Sequence, residues 1–517
     1  MSLARDITTV GGGTLMSRLL AYLRDAWIAA LLGAGPYAEG FFIVLQVVNF
    51  FRRLLSEGAL NSAFVPIWLK LRAGEDGAAN AHQFTVRAMV VVGTVTGIVV
   101  LIATVFAPFI VVAIAPGFGP AQQEQTGFLL MIVAPYILLA GLVAVGAAAL
   151  SAEGRVFAVA VSTVMFNLVL LLALAIVARR SEQIWTTIWL VIAIVIAGFV
   201  QLLIAIIALA AGPHWQRIRV RAPDETRNFF RRALPGLIAT GIPQLKLIAA
   251  TAIVSVSPAA VSWLYYANRL YELPLGVASI AIAAVIVPRI AAGVHAGDDA
   301  TFIAEQSRAY EIALGLALPA AVGFAVLADP IAGGLFQRGA FTEQDTAAVA
   351  AALTAICAGL PGHVLEKVFG AVSFAHEDTQ TPMVTACAGL ATAIVGGILV
   401  FPHYGYVGVA VVIAISGWVG AILLGLVLQR RGWLKFDANA MPRLTRIVLA
   451  AALMGGVVAC SLASIRILTP AAATSSAGRL ITLFVLVTLG VAIYGAALRM
   501  LGIAKLKDFA AAARMHE

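Results

Sequence analysis

Runs of about 20 apolar residues recur from one end of this 517-residue chain to the other. At a rise of about 1.5 Å per residue, each is long enough to cross the roughly 30 Å hydrocarbon core of a bilayer. A water-soluble protein of this length would divide into several domains joined by polar linkers, yet here only 11% of residues are charged and 62% are hydrophobic. The runs are built from Ala, Leu, Ile and Val without strict alternation, so they read as helices and not as the strands of a membrane barrel. The expectation is an all-α polytopic membrane protein.

Fourteen apolar windows fall between residues 10 and 501. They group as a first six-helix lobe over 1–213, a basic linker over 214–232, a second six-helix lobe over 233–429, and two further helices with a tail over 430–517. An even count puts both termini on one side. With the termini cytoplasmic, 22 of the 34 Lys and Arg lie in cytoplasmic segments, and only five, Arg179, Arg180, Arg338, Arg466 and Arg479, lie opposite. That bias accounts for the net charge of +9 without a nucleic-acid partner, and it orients a chain expected to cross its membrane many times. Pro135, Pro235, Pro243, Pro274, Pro319 and Pro361 mark expected bends. The three cysteines, Cys357, Cys387 and Cys460, lie in apolar runs without CxxC spacing and read as buried packing residues, with no metal site or disulfide expected.

Seven cations remain inside the windows: Arg18, Arg24, Arg52, Arg53, Lys246, Arg269 and Lys367. A charge at membrane depth is costly unless it pairs or faces water, so such residues mark pathways. The available counter-charges are Asp25, Glu39, Glu57, Glu272 and Glu366. Helical spacing allows Arg53 to pair with Glu57 at i,i+4 and Arg269 with Glu272 at i,i+3, which makes part of the set readable as helix-locking ion pairs. The first two helices nonetheless hold an excess of Arg. An excess of guanidinium calls for an anionic ligand, and the planar fork of Arg matches phosphate oxygens two at a time. A carrier of cationic cargo would need the opposite balance. Catalysis finds no support: the seven His are scattered, with His363 reading as a packed residue within a span, and Glu377 and Asp378 read as solvated loop charges. Gly11, Gly12 and Gly13 lack the strand and the Lys-Ser/Thr of a phosphate loop, and no cofactor is expected.

The run SRLLAYLRDAWIAALLGAG (Ser17 to Gly35), followed by AEGFF and by NFFRRLLSEGALNSAFVPIW (Asn49 to Trp68), resembles the amino-terminal signature of the MurJ/MviN lipid II flippases. SWLYYANRLYELPLGV (Ser262 to Val277), LFQRGAFT (Leu335 to Thr342) and SFAHEDTQTP (Ser373 to Pro382) resemble later motifs of that family in the same order. The resemblance implies transport of lipid II, the undecaprenyl-pyrophosphate-linked disaccharide pentapeptide, from the inner to the outer leaflet of the bacterial plasma membrane. It also implies two lobes alternating access to a cationic cavity, with the last two helices forming a groove for the polyprenyl tail. Carried onto this chain, it marks Arg18, Arg24, Glu39, Arg52, Glu57 and Arg269 as the important positions; the excess of guanidinium then leads us to expect Arg18, Arg24, Arg52 and Arg269 to hold the pyrophosphate, and Glu39 and Glu57 to bridge arginines when the cavity is empty or closed. Asn49, Arg53 and Ser262 come second. Two departures stand out. Glu39 replaces an Asp common in the family, and Asn268 replaces an Asp before Arg269, leaving Glu272 as the expected partner of that arginine. Lys246 is expected to substitute for a bound cation, with Glu272 and Lys367 completing a set for charge balance or ion coupling. Lipid II and the phospholipid bilayer are the expected partners, and protein partners are not legible. The competing readings are export of another polyprenyl-linked or anionic lipid, an embedded enzyme acting on polyprenyl-phosphate sugars, and a scaffold that transports nothing.

Overall fold

The computed structural model describes residues 3–56, 59–74, 77–178, 182–211, 241–290, 299–435, 437, 440–468 and 476–503. Among these there is no strand. The helices are α1 (Leu3–Leu32), α2 (Pro36–Ser56), α3 (Ala59–Arg72), α4 (Gly77–Val105), α5 (Ala107–Ile114), α6 (Pro120–Val133), α7 (Pro135–Ala152), α8 (Val156–Val177) and α9 (Gln183–Ala210). Then come α10 (Gly241–Val254), α11 (Ala260–Ala281), α12 (Asp299–Val326), α13 (Ala328–Phe336), α14 (Glu343–Cys357), α15 (Leu360–Ala375), α16 (Gln380–Arg430), α17 (Ala440–Leu468) and α18 (Ser476–Met500).

Among the described residues, eight of these segments are long and apolar enough to cross a bilayer, or nine when α14 and α15, bent by 40°, count as one span. The figure falls short of fourteen in part because α10, over Gly241–Val254, is too short within the described residues to count, and otherwise for two physical reasons. The first is charge: α1, α2 and α11 carry the arginines and acids singled out above, which lower their apolar character. The second is that α16 is counted once although it folds back on itself. Its 51 residues would reach about 77 Å if straight, more than twice a bilayer core. Gly405 breaks it with φ 56° and ψ −149°, a conformation open to glycine and closed to most side chains. Beyond that break a Cβ at Gly396 would lie 2.8 Å from Val412 and one at Gly408 2.6 Å from Val400, so the two halves run antiparallel in contact.

The chain forms two compact units, Met1–Ile248 and Ala249–Glu517, divided within α10. The basic linker at 214–232 lies outside the described residues. In the first unit α8 packs between α1 and α9, and α7 packs against α4, α9 and α3. In the second, α15 lies on α16 and α12, and α17 and α18 pack on α12, α13 and each other. Two of the expected bends have a simple origin: Pro135 and Pro361 open α7 and α15 in the first turn, where a missing N–H costs nothing. Pro274 and Pro319 lie inside α11 and α12, while Pro235 lies outside the described residues.

Three sequence readings change. Cys357 is buried as expected, but Cys387 and Cys460 are exposed, because an apolar run in such a chain faces acyl chains as readily as protein. Asp378 is not a solvated loop charge: it accepts hydrogen bonds from the backbone N–H groups of Gln380 and Thr381 and pairs with Arg431. Partial burial pushes its carboxyl up, but the hydrogen bonds from Thr381 and the Arg431 guanidinium outweigh this and hold it below its ordinary 3.8. Of the arginines on the minority side, Arg466 pairs with Asp329 and Arg338 donates to the Gly334 carbonyl at the end of α13.

The seam between α15 and the second half of α16 is lined with small residues, which lets two helices in lipid approach backbone to backbone. A Cβ at Gly362 would lie 2.9 Å from the Trp418 backbone nitrogen, whereas one at Gly456 on α17 would meet nothing within 4 Å. Gly362→Ala is therefore expected to destabilise the protein by about 1–3 kcal/mol, and Gly456→Ala to be neutral, in thermal unfolding of the detergent-solubilised protein. A depressed carboxylate contributes stability above its unfolded pKa and loses it as pH falls through the folded value. Asp378→Asn should accordingly lower the unfolding midpoint at neutral pH, with the difference from wild type shrinking as the pH falls below the ordinary 3.8 of the carboxyl and on through its lowered folded value.

Candidate functional site

In the first unit the arginines lie on α1 and α2, and α8 supplies what holds two of them. Arg24 is 5% exposed and Asp25 is fully buried. The Asp25 Oδ1 accepts from Arg24 Nε at 2.9 Å and from Nη2 at 2.7 Å, while Arg24 Nη1 donates to Asn167 Oδ1 at 3.0 Å. Asn167 in turn donates to the Ser17 carbonyl and hydroxyl, both at 3.1 Å. A Cβ at Gly13 would run into Ala160 at 2.7 Å, so α1 and α8 lie in close parallel contact below this polar clasp. The guanidinium of Arg24 is thus neutralised and bonded on three of its edges inside the unit.

Arg18 differs. Six residues earlier on α1, it projects about 120° away around the helix, is half-buried, and has no ion-pair or hydrogen-bond partner among the described residues. Arg52 on α2 donates to Asn49 Oδ1 at 3.2 Å, and its guanidinium lies 5.8 Å from the centroid of Phe166. Phe166 and Asn167, adjacent on α8, therefore touch the arginines of α2 and α1 respectively. Arg53 is half-buried; its expected pairing with Glu57 lies outside the described residues. Glu39 occupies the first turn of α2, where a negative charge complements the helix dipole, and is 3% exposed. It accepts from Gln122 Nε2 at 3.3 Å. Thirteen residues, about 20 Å along α2, separate Glu39 from Arg52, so the two do not pair within that helix.

In the second unit the charged helix is α11. Arg269 Nη1 lies 3.2 Å from Glu272 Oε2, one turn on, with both side chains about one-fifth exposed. Ser262 is fully buried, and its hydroxyl has no hydrogen-bond partner among the described residues. Two contacts brace the helix. Trp263 donates to Asp345 Oδ1 at 2.8 Å, and Asp345 itself forms the capping box of α14 with Thr342. Tyr271 lies 2.9 Å from His363 Nδ1 on α15. Beyond Pro274 the helix passes into a π-turn over Ile282–Ile286. Lys246 is half-buried on α10; on α15, Glu366 is half-buried and Lys367 exposed. Among the described residues no group of three or more His, Cys, Asp or Glu is arranged to hold a metal.

Sequence reasoning missed Asn167 and Phe166. The signal available was modest: Asn167 is the one amide in α8, but only tertiary contact reveals that it meets Arg24. Removing one member of a buried charge pair leaves the other uncompensated. Asp25→Ala is thus expected to cost about 3–5 kcal/mol, with the double change of Arg24 and Asp25 to Leu less damaging than the sum, as read by thermal unfolding in a double-mutant cycle.

A model of the family described as "Lipid II flippase MurJ" matches residues 28–468. A protein of Rhizobium meliloti (strain 1021) described as a probable lipid II flippase MurJ is 38% identical over 464 residues, covering 88% of this chain and 86% of its own. The corresponding protein of Haemophilus influenzae is 30% identical over 514 residues, with 95% and 98% covered. Among solved structures, a lipid II flippase MurJ in an inward closed conformation superposes with a TM-score of 0.78 at 22% identity, covering 95% of this chain and 99% of that one. An inward-facing multidrug transporter of the MATE family, from the MOP superfamily, gives a TM-score of 0.66 at 15% identity, with 80% and 94% covered.

Proposed function

The chain belongs to the lipid II flippase MurJ family, and from that premise we propose that it carries lipid II from the cytoplasmic to the periplasmic leaflet of the bacterial inner membrane, for peptidoglycan synthesis. It is a transporter and not an enzyme. The observation that supports the cationic mechanism is Arg18, a half-buried guanidinium without an ion-pair or hydrogen-bond partner among the described residues. Its charge is available to a substrate phosphate, and a pyrophosphate offers paired oxygens to its fork. The charge of Arg24, by contrast, is already balanced by Asp25, so its part is to fix α1 on α8 beside Arg18 rather than to hold the phosphate by itself.

Arg52, with Asn49 beside it, and Arg269, with Glu272 beside it, each engage the pyrophosphate at some stage of transit by exchanging an internal partner for a substrate oxygen. Arg53 and Ser262 contribute further donors. Glu39 and Glu57 bridge cations when no substrate is bound, and Lys246, Glu272 and Lys367 keep the charge balance. Both termini face the cytoplasm, as the distribution of Lys and Arg favours. The two units alternate access to the two leaflets. Export removes anionic charge from an interior-negative cell, and each elementary charge gains about 2.3 kcal/mol per 100 mV, so the membrane potential biases the direction.

The test is the accessibility of lipid II to an externally added lipid II-cleaving enzyme after depletion of the protein in its host. Wild type is expected to restore accessibility. Equally expressed Arg18→Ala and Arg269→Ala should fail, with a loss of at least about tenfold, a difference of ~1.4 kcal/mol in the limiting step. Full rescue by both variants would remove the pyrophosphate mechanism, and unchanged accessibility on depletion would remove lipid II export as the protein's task.

A further inference from the structure

On α15, His363 and Glu366 stand one turn apart on the same face. Opposite them α16 carries Gly417 and Gly420, also one turn apart, and a larger residue at either place would have to displace the side chain facing it. A Cβ at Gly417 would strike the His363 ring, and one at Gly420 would lie 2.7 Å from Glu366 Oε1. Two titratable groups are thereby seated in a groove of the second unit shaped to receive them, and intramembrane ionisable groups so placed characteristically serve pathways. Other titratable groups nearby are Tyr271 from α11, which Cys357 of α14 and Glu366 both influence electrostatically, and Lys367, next to Glu366 on α15. Helix α12 also packs on α15, bringing Tyr310 against Phe369 further along.

One nitrogen makes two contacts of different kinds. His363 Nδ1 lies 2.9 Å from the Tyr271 hydroxyl and 3.0 Å from the Gly359 carbonyl. A carbonyl only accepts, so the bond to Gly359 requires a proton on Nδ1; donation by Tyr271 requires a lone pair there. We propose that His363 is a proton-binding site that switches α11 between two states, with Glu366 as the counter-charge for the imidazolium. With Nδ1 deprotonated, Tyr271 donates to it and α11 is tied to α15. On protonation Nδ1 becomes a donor, its one hydrogen goes to the Gly359 carbonyl at the cap of α15, and Tyr271 can no longer donate to it, which loosens that tie. Because α11 carries Arg269 and Glu272, the proton acts on the helix assigned above to substrate binding. Histidine is suited to this, since its ordinary titration near 6.5 lies within the physiological range.

The transport half of this inference rests on the flippase reading, so two readouts keep them apart. In proteoliposomes, wild-type movement of lipid II is expected to change by about tenfold between about pH 5.5 and about pH 8, and H363Q to vary less than about twofold over that range. An H363Q profile that follows wild type would overturn the proposal while leaving the flippase reading intact. Nitrogen NMR of histidine-labelled full-length protein reads the switch without transport. His363 should convert from an Nδ1 acceptor to an Nδ1 donor as pH falls, and Tyr271→Phe, which keeps the ring and removes the hydroxyl, should shift it toward the donor form at high pH. A single protonation form of His363 across the range would overturn the proposal even if no lipid II moves in any sample.

Discussion

A guanidinium at membrane depth must be neutralised, solvated or put to use, and the helices of the first unit are arranged around that demand. Arg24 takes the first course. Its contacts with Asp25 and Asn167 fill the space between α1 and α8, and because Asn167 also grips Ser17, the charge fixes helix position as well as being satisfied by it. Arg52 donates to an amide and lies over an aromatic face, two contacts that hold a cation in place. Among the described residues Arg18 has neither. The sequence places three chemically identical groups within two consecutive helices, and the fold gives each a different degree of compensation.

The second unit meets the same demand with local pairing. Arg269 and Glu272 sit on one helix a turn apart, so their contact survives any rigid movement of α11. What can change is how α11 is held, through Trp263 at one end and Tyr271 in its middle. The tight glycine seam of α15 on α16 then forms the fixed surface against which such a change would occur.

Much of this was readable before any coordinates. The apolar windows became helices because in lipid a segment must satisfy its own backbone, which ties helix position to hydropathy more directly than in water. The pairing of Arg269 with Glu272 follows from spacing within one helix. Contacts between helices did not follow. Nothing in the order of residues says that Asn167 meets Arg24, or that His363 stands opposite Gly417. Burial was the least legible property, as Cys387 and Cys460 show, because the solvent of this protein is itself apolar and hydrophobicity no longer separates inside from outside.

The reversal at Gly405 also sets how much slack the chain has at that point. Two long apolar stretches meet there with a single non-helical residue between them, so no loop absorbs a change in their spacing. The placement of one half of α16 against the other hangs on one backbone conformation, and a side chain that could not hold its positive φ would displace a whole helix instead of a turn.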